Sequence, residues 1–212
     1  MSSILTPPAP VAGRTPVGPV TYWADPSVYR FSVAQYQRMI TAGVLTHEDK
    51  VELLEGYVVR KMPRNPPHDG TIQVITKRLG RRVPAGWDLR VQLTVELSDS
   101  QPEPDFSIAR GDETTYLHRH PTPADVGLIV EVASSSLPRD QQDKSRVYAA
   151  AGIACYWIIN LVDRRVEVYT QPSGPTPVPA YGAFQTFQPG DAVPLVLDGA
   201  TVASVPVADL LP

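Results

Sequence analysis

Seven residues near the middle of the chain, Val126-Gly127-Leu128-Ile129-Val130-Glu131-Val132, constrain the fold more than any other stretch. A nearly unbroken apolar run of this length reads as a strand covered on both faces, which requires a sheet with a layer on each side. That placement sets one carboxylate, Glu131, in dry surroundings. An ionised carboxylate buried without a partner is strongly destabilising, so Glu131 must neutralise, pair or hold a cation unless it lies at a strand end and reaches water.

The elements around this strand follow from local pattern. Ser32 is a predicted N-cap for a short helix with Val33, Tyr36, Met39 and Ile40 on one face and Gly43 closing it. The run from Val51 to Val59 predicts a hairpin turning at Glu55-Gly56. Ile72, Ile75, Leu79 and Val83 recur at helical spacing from about His68 to Val83, with Lys77, Arg78, Arg81 and Arg82 on the other sides. Strands are predicted over Trp87 to Leu97 and Pro104 to Ala109, and a helix over Asp140 to Ala151 stopped by Gly152. A further hairpin pairs Cys155 to Leu161 with Arg165 to Thr170, and Tyr148, Cys155 and Trp157 read as core.

The expected fold is therefore α/β, with a mixed central sheet flanked by helices. The 23 prolines, about twice the average share, concentrate at the ends. Residues 1–28 are expected to form a flexible tail and 29–212 one domain, with a core over 29–170. Beyond Pro172 short apolar pieces, ending in Val207 to Leu211, are expected to pack at the edge as extra strands. A single cysteine excludes an intramolecular disulfide and a Cys-rich zinc site. No signal peptide and no apolar run long enough to span a bilayer is evident, so the reading is a cytoplasmic protein without a membrane partner.

A net charge of −3 offers no global attraction to nucleic acid, so a binding face must be local. The basic cluster Lys77, Arg78, Arg81 and Arg82 is either such a face or a solvated helix surface. Asp105, after Pro104 at the start of a strand, sits in an acceptor-rich tract suited to a hard cation, although aspartate after proline is also a common turn residue. Asp105 and Glu131 on neighbouring strands, plus a backbone carbonyl, would make a hard-metal site. Glu52, His68, Lys144 and Arg146 each have an ordinary surface reading when taken alone.

In combination these residues resemble the Uma2 family of restriction-endonuclease-like proteins, within the wider PD-(D/E)XK group. The likeness rests on Glu52-Leu53-Leu54-Glu55-Gly56, His68, Pro104-Asp105 and Ile129-Val130-Glu131-Val132-Ala133-Ser134. Asp140, Lys144, Tyr148, Ala151-Gly152-Ile153 and Tyr156-Trp157-Ile158-Ile159 extend it. The resemblance implies a restriction-endonuclease-like core with a metal held by Asp105, Glu131 and the Val132 carbonyl, and Glu52 as an early acidic residue. The wider group's pattern puts a lysine two residues after the glutamate. Here that position is Ala133, and Lys144 matches the family's lysine.

The implied activity is metal-dependent cleavage of DNA. All-oxygen ligands favour Mg²⁺ or Mn²⁺ over Zn²⁺, His68 and the basic helix would contact nucleic acid, and a homodimer would suit cutting of two strands. Ala133 keeps open an inactive relative that binds nucleic acid or protein. A structural or partner-binding domain and a metal-dependent hydrolase of another substrate also remain open.

Overall fold

The computed structural model describes residues 27–211, so the tail expected over residues 1–28 lies almost wholly outside the described residues. Helix α1 (Val33–Thr41) starts at a capping box: the Gln35 N–H donates to Ser32 Oγ (3.2 Å) and the Ser32 N–H to Gln35 Oε1 (2.8 Å). Strands β1 (Val51–Leu54) and β2 (Tyr57–Arg60) form the expected hairpin. Its turn needs glycine at Gly56, where φ is +80° and a Cβ would stand 2.7 Å from the Arg30 Cβ.

Helix α2 (Pro66–Gly80) starts before His68 and stops before Val83. Asn65 caps it by accepting the His68 N–H at 3.1 Å, and Pro66 and Pro67 fit the first turn, where an N–H has no intrahelical partner. Strand β3 (Trp87–Val91) is shorter than its apolar alternation, because the chain turns out of the sheet at Gln92, whose φ is +53°. After β4 (Phe106–Arg110) comes the central β5 (Val126–Ala133), buried along its whole length.

The helical segment that follows is not uniform. It comprises α3 (Leu137–Arg139), a π-helical turn (Asp140–Lys144) and α4 (Ser145–Ala150). Strands β6 (Cys155–Asn160), β7 (Arg165–Pro172) and β8 (Tyr181–Phe187) complete a six-stranded mixed sheet of order β3-β4-β5-β6-β7-β8, in which only β5 and β6 run parallel.

Alternation along β5 divides the core. Leu128, Val130 and Val132 meet Ile72, Ile75 and Leu79 of α2, whereas Ile129 and Ala133 meet Val147 and Tyr148 of α4. Tyr148 and Trp157 are fully buried, and burial pushes the Cys155 thiol up to about 12.

The C-terminal pieces do more than line an edge. Strands β9 (Ala192–Leu197) and β10 (Ala200–Pro206) pair only with each other, and Val193, Leu195, Leu197 and Val205 join the α2-side core. The hydrophobic residues alternate in β9, so one face of the hairpin can cover the sheet. Gly127 makes the close approach feasible, since a Cβ there would lie 2.7 Å from Leu197 Cδ2 and 2.8 Å from Trp87 Cζ3. Gly127→Ala is expected to destabilise the fold by about 1–3 kcal/mol through overpacking. Urea unfolding checks this, and an unshifted midpoint would mean the hairpin yields freely there.

Candidate functional site

Strand register builds the site. Phe106 of β4 pairs with Val130 of β5, so Asp105, one residue before β4, stands beside the β5 end where the ladder stops. The Val132 N–H there donates to Asp105 Oδ2 at 2.8 Å. A strand residue turns its N–H and carbonyl to the same edge, so the Val132 carbonyl faces the Asp105 side too. His68, in the first turn of α2, brings Nε2 to 3.1 Å from Asp105 Oδ2, and Gln92 Nε2 donates to Oδ1 at 3.3 Å. Burial would raise the Asp105 carboxyl, but the His68 hydrogen bond and charge, the Val132 N–H and Lys144 outweigh it and hold the group below its usual value. Asp105 in turn raises the His68 imidazole against its burial.

Glu131, between Val130 and Val132, points to the α4 face of β5. Its Oε1 accepts from Lys144 Nζ at 2.7 Å and from the Tyr148 hydroxyl at 2.8 Å. Lys144 and Tyr148 are four residues apart and share a helix face. The π-helical turn, a widened turn common at functional sites, ends at Lys144 and buries both it and Asp140. Burial pushes Glu131 up to about 8 despite Lys144, with Asp140 and Asp105 adding repulsion. Burial would lower the Lys144 ammonium, yet Glu131, Glu52 and Asp140 hold it well above its usual value. The lysine therefore keeps its proton, and the carboxyl is the group that gives way.

Glu52, in β1, is buried and accepts from the Glu103 N–H and from Arg139 Nη2, both at 3.3 Å. Asp140 is pushed up to about 6 by burial, in spite of Lys144. Glu52, His68, Asp105, Glu131, Val132 and Lys144 line one cleft of about 510 Å³, joined by Asp140 and Arg139. Sequence reading did not assign Arg139 or Gln92 a place here. Arg139 adjoins Pro138 in what read as a polar loop, and Gln92 lies where alternation suggested an unbroken strand.

The basic helix face stands elsewhere. None of Lys77, Arg78, Arg81 and Arg82 lines the cleft. Arg78 and Arg82 engage Asp209 at 2.9 and 2.6 Å, tying α2 to the 3₁₀ turn Val207–Asp209. Arg146 binds Glu55 at 2.6 Å, away from the cleft.

Among the described residues no three or more His, Cys, Asp and Glu side chains are grouped so as to hold a metal ion. The carboxylates that line the cleft are those of Glu52, Glu103, Asp105, Glu131 and Asp140, beside the main chain at Val132. Among the described residues no helix is long and apolar enough to cross a membrane.

The protein is thus a mixed sheet with helices and a terminal hairpin on its faces and a carboxylate-lined cleft at the ends of β4 and β5. The structure is similar to a protein of Anabaena variabilis described as a "putative nuclease belonging to DUF820", with a TM-score of 0.58 and 16% identity. The match covers 85% of this chain and 97% of that one. The model of the family described as "Uma2: Putative restriction endonuclease" matches residues 33–205, and the chain belongs to that family. No curated protein matches the sequence.

Proposed function

We propose that the cleft is the active site of a divalent-metal-dependent endonuclease that hydrolyses phosphodiester bonds in DNA. The observation that carries this reading is the convergence of Asp105 and Glu131, from adjacent strand ends, with the Lys144 ammonium 2.7 Å from Glu131. The donor set fits a hard divalent ion. It is all oxygen, and burial, with Asp140 and Asp105 nearby, drives the Glu131 carboxyl toward its neutral form despite Lys144, a condition an added cation would relieve.

Asp105, Glu131 and the Val132 carbonyl would hold Mg²⁺ or Mn²⁺. The ion would supply Lewis-acid charge at the phosphate and acidify a water. His68 and the Val132 N–H fix the Asp105 carboxylate. Tyr148 fixes Glu131. Lys144 contributes a permanent positive charge that stabilises the negative charge developing on the phosphate, standing in for the lysine that Ala133 replaces. Ala133 is fully buried against the α4-side core. Glu52, partnered by Arg139, supplies a further acidic group at the cleft wall.

Supercoiled plasmid incubated with Mg²⁺, Mn²⁺ or EDTA tests the proposal. Wild-type protein is expected to nick the plasmid with either metal and not with EDTA. Lys144→Ala should lower the rate about 10²–10³-fold, the range for removing one charge-stabilising group. Plasmid left intact under every metal condition would overturn the reading.

A further inference from the structure

The cleft does not end at its acidic floor. A groove of about 1030 Å³ adjoins it and shares Lys61, Met62, Arg64 and Glu103 with it. His47, Lys50 and Pro63 complete its lining. The open end of the β1–β2 hairpin creates this groove: the Lys61 N–H donates to the Lys50 carbonyl at 2.8 Å, which sets the two lysines side by side. Lys61 engages Glu103, the one carboxylate in the lining. No ion pair engages Lys50 or Arg64 among the described residues, and both are exposed. Asp49, next to Lys50, is turned back onto Thr46 by hydrogen bonds to its N–H and hydroxyl at 2.6 and 3.0 Å.

We infer that this groove is the track for the phosphate backbone of a nucleic-acid chain leaving the cleft, with Lys50 and Arg64 neutralising phosphates that flank the bond held inside. The inference rests on the proposed nuclease reading and names the surface that reading lacks. The helix α2 cations do not serve it. Lys77 is nine residues from His68, about 14 Å along the helix at 1.5 Å per residue, and Arg78 and Arg82 are committed to Asp209. The groove instead opens directly onto the cleft, and its exposed Met62 and Pro63 give an apolar floor beside the charges.

Phosphate contacts release counterions, so each one adds about 0.9 to the slope of log affinity against log salt on duplex DNA and about 0.7 on a single strand. Binding of fluorescein-labelled duplex and single-stranded oligonucleotides to the full chain in EDTA is read by anisotropy across a salt series. Lys50→Ala/Arg64→Ala is expected to weaken binding at least tenfold at low salt. Its salt slope should fall by about 1.8 on duplex or about 1.4 on a single strand, and the form that wild type binds more tightly at equal salt is the preferred one. Lys77→Ala/Arg81→Ala should stay within about twofold of wild type, since neither lines the groove or the cleft.

Unchanged affinity and slope in the groove variant, or no binding of either oligonucleotide by wild type, would overturn the inference. Plasmid cleavage by the same wild-type preparation separates the two readings. Cleavage with a groove variant that binds normally removes the track and leaves the nuclease, whereas groove-dependent binding without cleavage removes the nuclease and leaves the track.

Discussion

Glu131→Gln is expected to abolish metal-dependent cleavage while leaving the fold at least as stable as wild type. The side chain keeps its shape, and its amide oxygen still accepts from Lys144 and the Tyr148 hydroxyl, at the positions where Oε1 does so now. What disappears is the negative charge, which metal binding requires and burial opposes. Asp105→Asn removes the second carboxylate and has its own logic. The remaining oxygen can keep the Val132 and His68 contacts, which turns the new NH₂ toward the Gln92 amide, a conflict that a flip of Gln92 relieves. Residues that act as one unit lose nearly all catalysis when any member is removed, so each variant should fall roughly 10⁴-fold or more in plasmid cleavage. Circular dichroism melting should place Glu131→Gln at or above the wild-type midpoint in EDTA. A Glu131→Gln protein that nicks plasmid at the wild-type rate would remove this carboxylate from the site.

The contrast between Glu131 and Glu167 shows what a sequence discloses about such residues. Glu131 was conspicuous because it interrupts an apolar run, whereas Glu167 sits in Arg165-Val166-Glu167-Val168, an alternation that looks half exposed. Both are buried. Glu167 is satisfied by Gln141, Asn160, Arg165 and Tyr169. Burial raises its carboxyl, but those bonds outweigh it and hold the group below its usual value. Local pattern locates a carboxylate; only tertiary contacts say whether its charge is already answered.

The same limit explains the basic helix. Helical spacing grouped Lys77, Arg78, Arg81 and Arg82, but Asp209 lies 131 residues beyond Arg78, and nothing local announces that ion pair. The π-helical turn is likewise invisible to a 3.6-residue period, although it is what ends at Lys144 and buries it beside Glu131. Elements governed by caps, turns and apolar runs, such as Ser32 with α1, Gly56 in the hairpin and β5 itself, were legible because their causes lie within a few residues.

Acid–base linkage gives the site a second large signature. The Glu131 carboxyl is raised from an ordinary value of 4.5 to about 8, so the folded chain binds this proton more tightly than the unfolded chain. Its stabilising contribution is therefore complete below about 4.5 and is lost as pH rises through about 8. Asp140, raised from 3.8 to about 6, acts in the same direction over a lower window. A divalent ion needs the ionised carboxylate, so proton and metal compete. At a concentration of about 100 times its Kd above pH 8, Mg²⁺ should stabilise the fold by about 2.7 kcal/mol. For a chain of this size that is about 5–10 °C in Tm. Two units below the Glu131 value the effective Kd is about 100-fold weaker, and the same concentration should add only about 1 °C. Thermal melts at about pH 6 and about pH 8.5, with Mg²⁺ or EDTA, measure the difference. Glu131→Gln, which has no proton to exchange, should lose the pH-dependent gain. A Mg²⁺ shift of equal size at both pH values in the wild type would mean that the ion binds without Glu131.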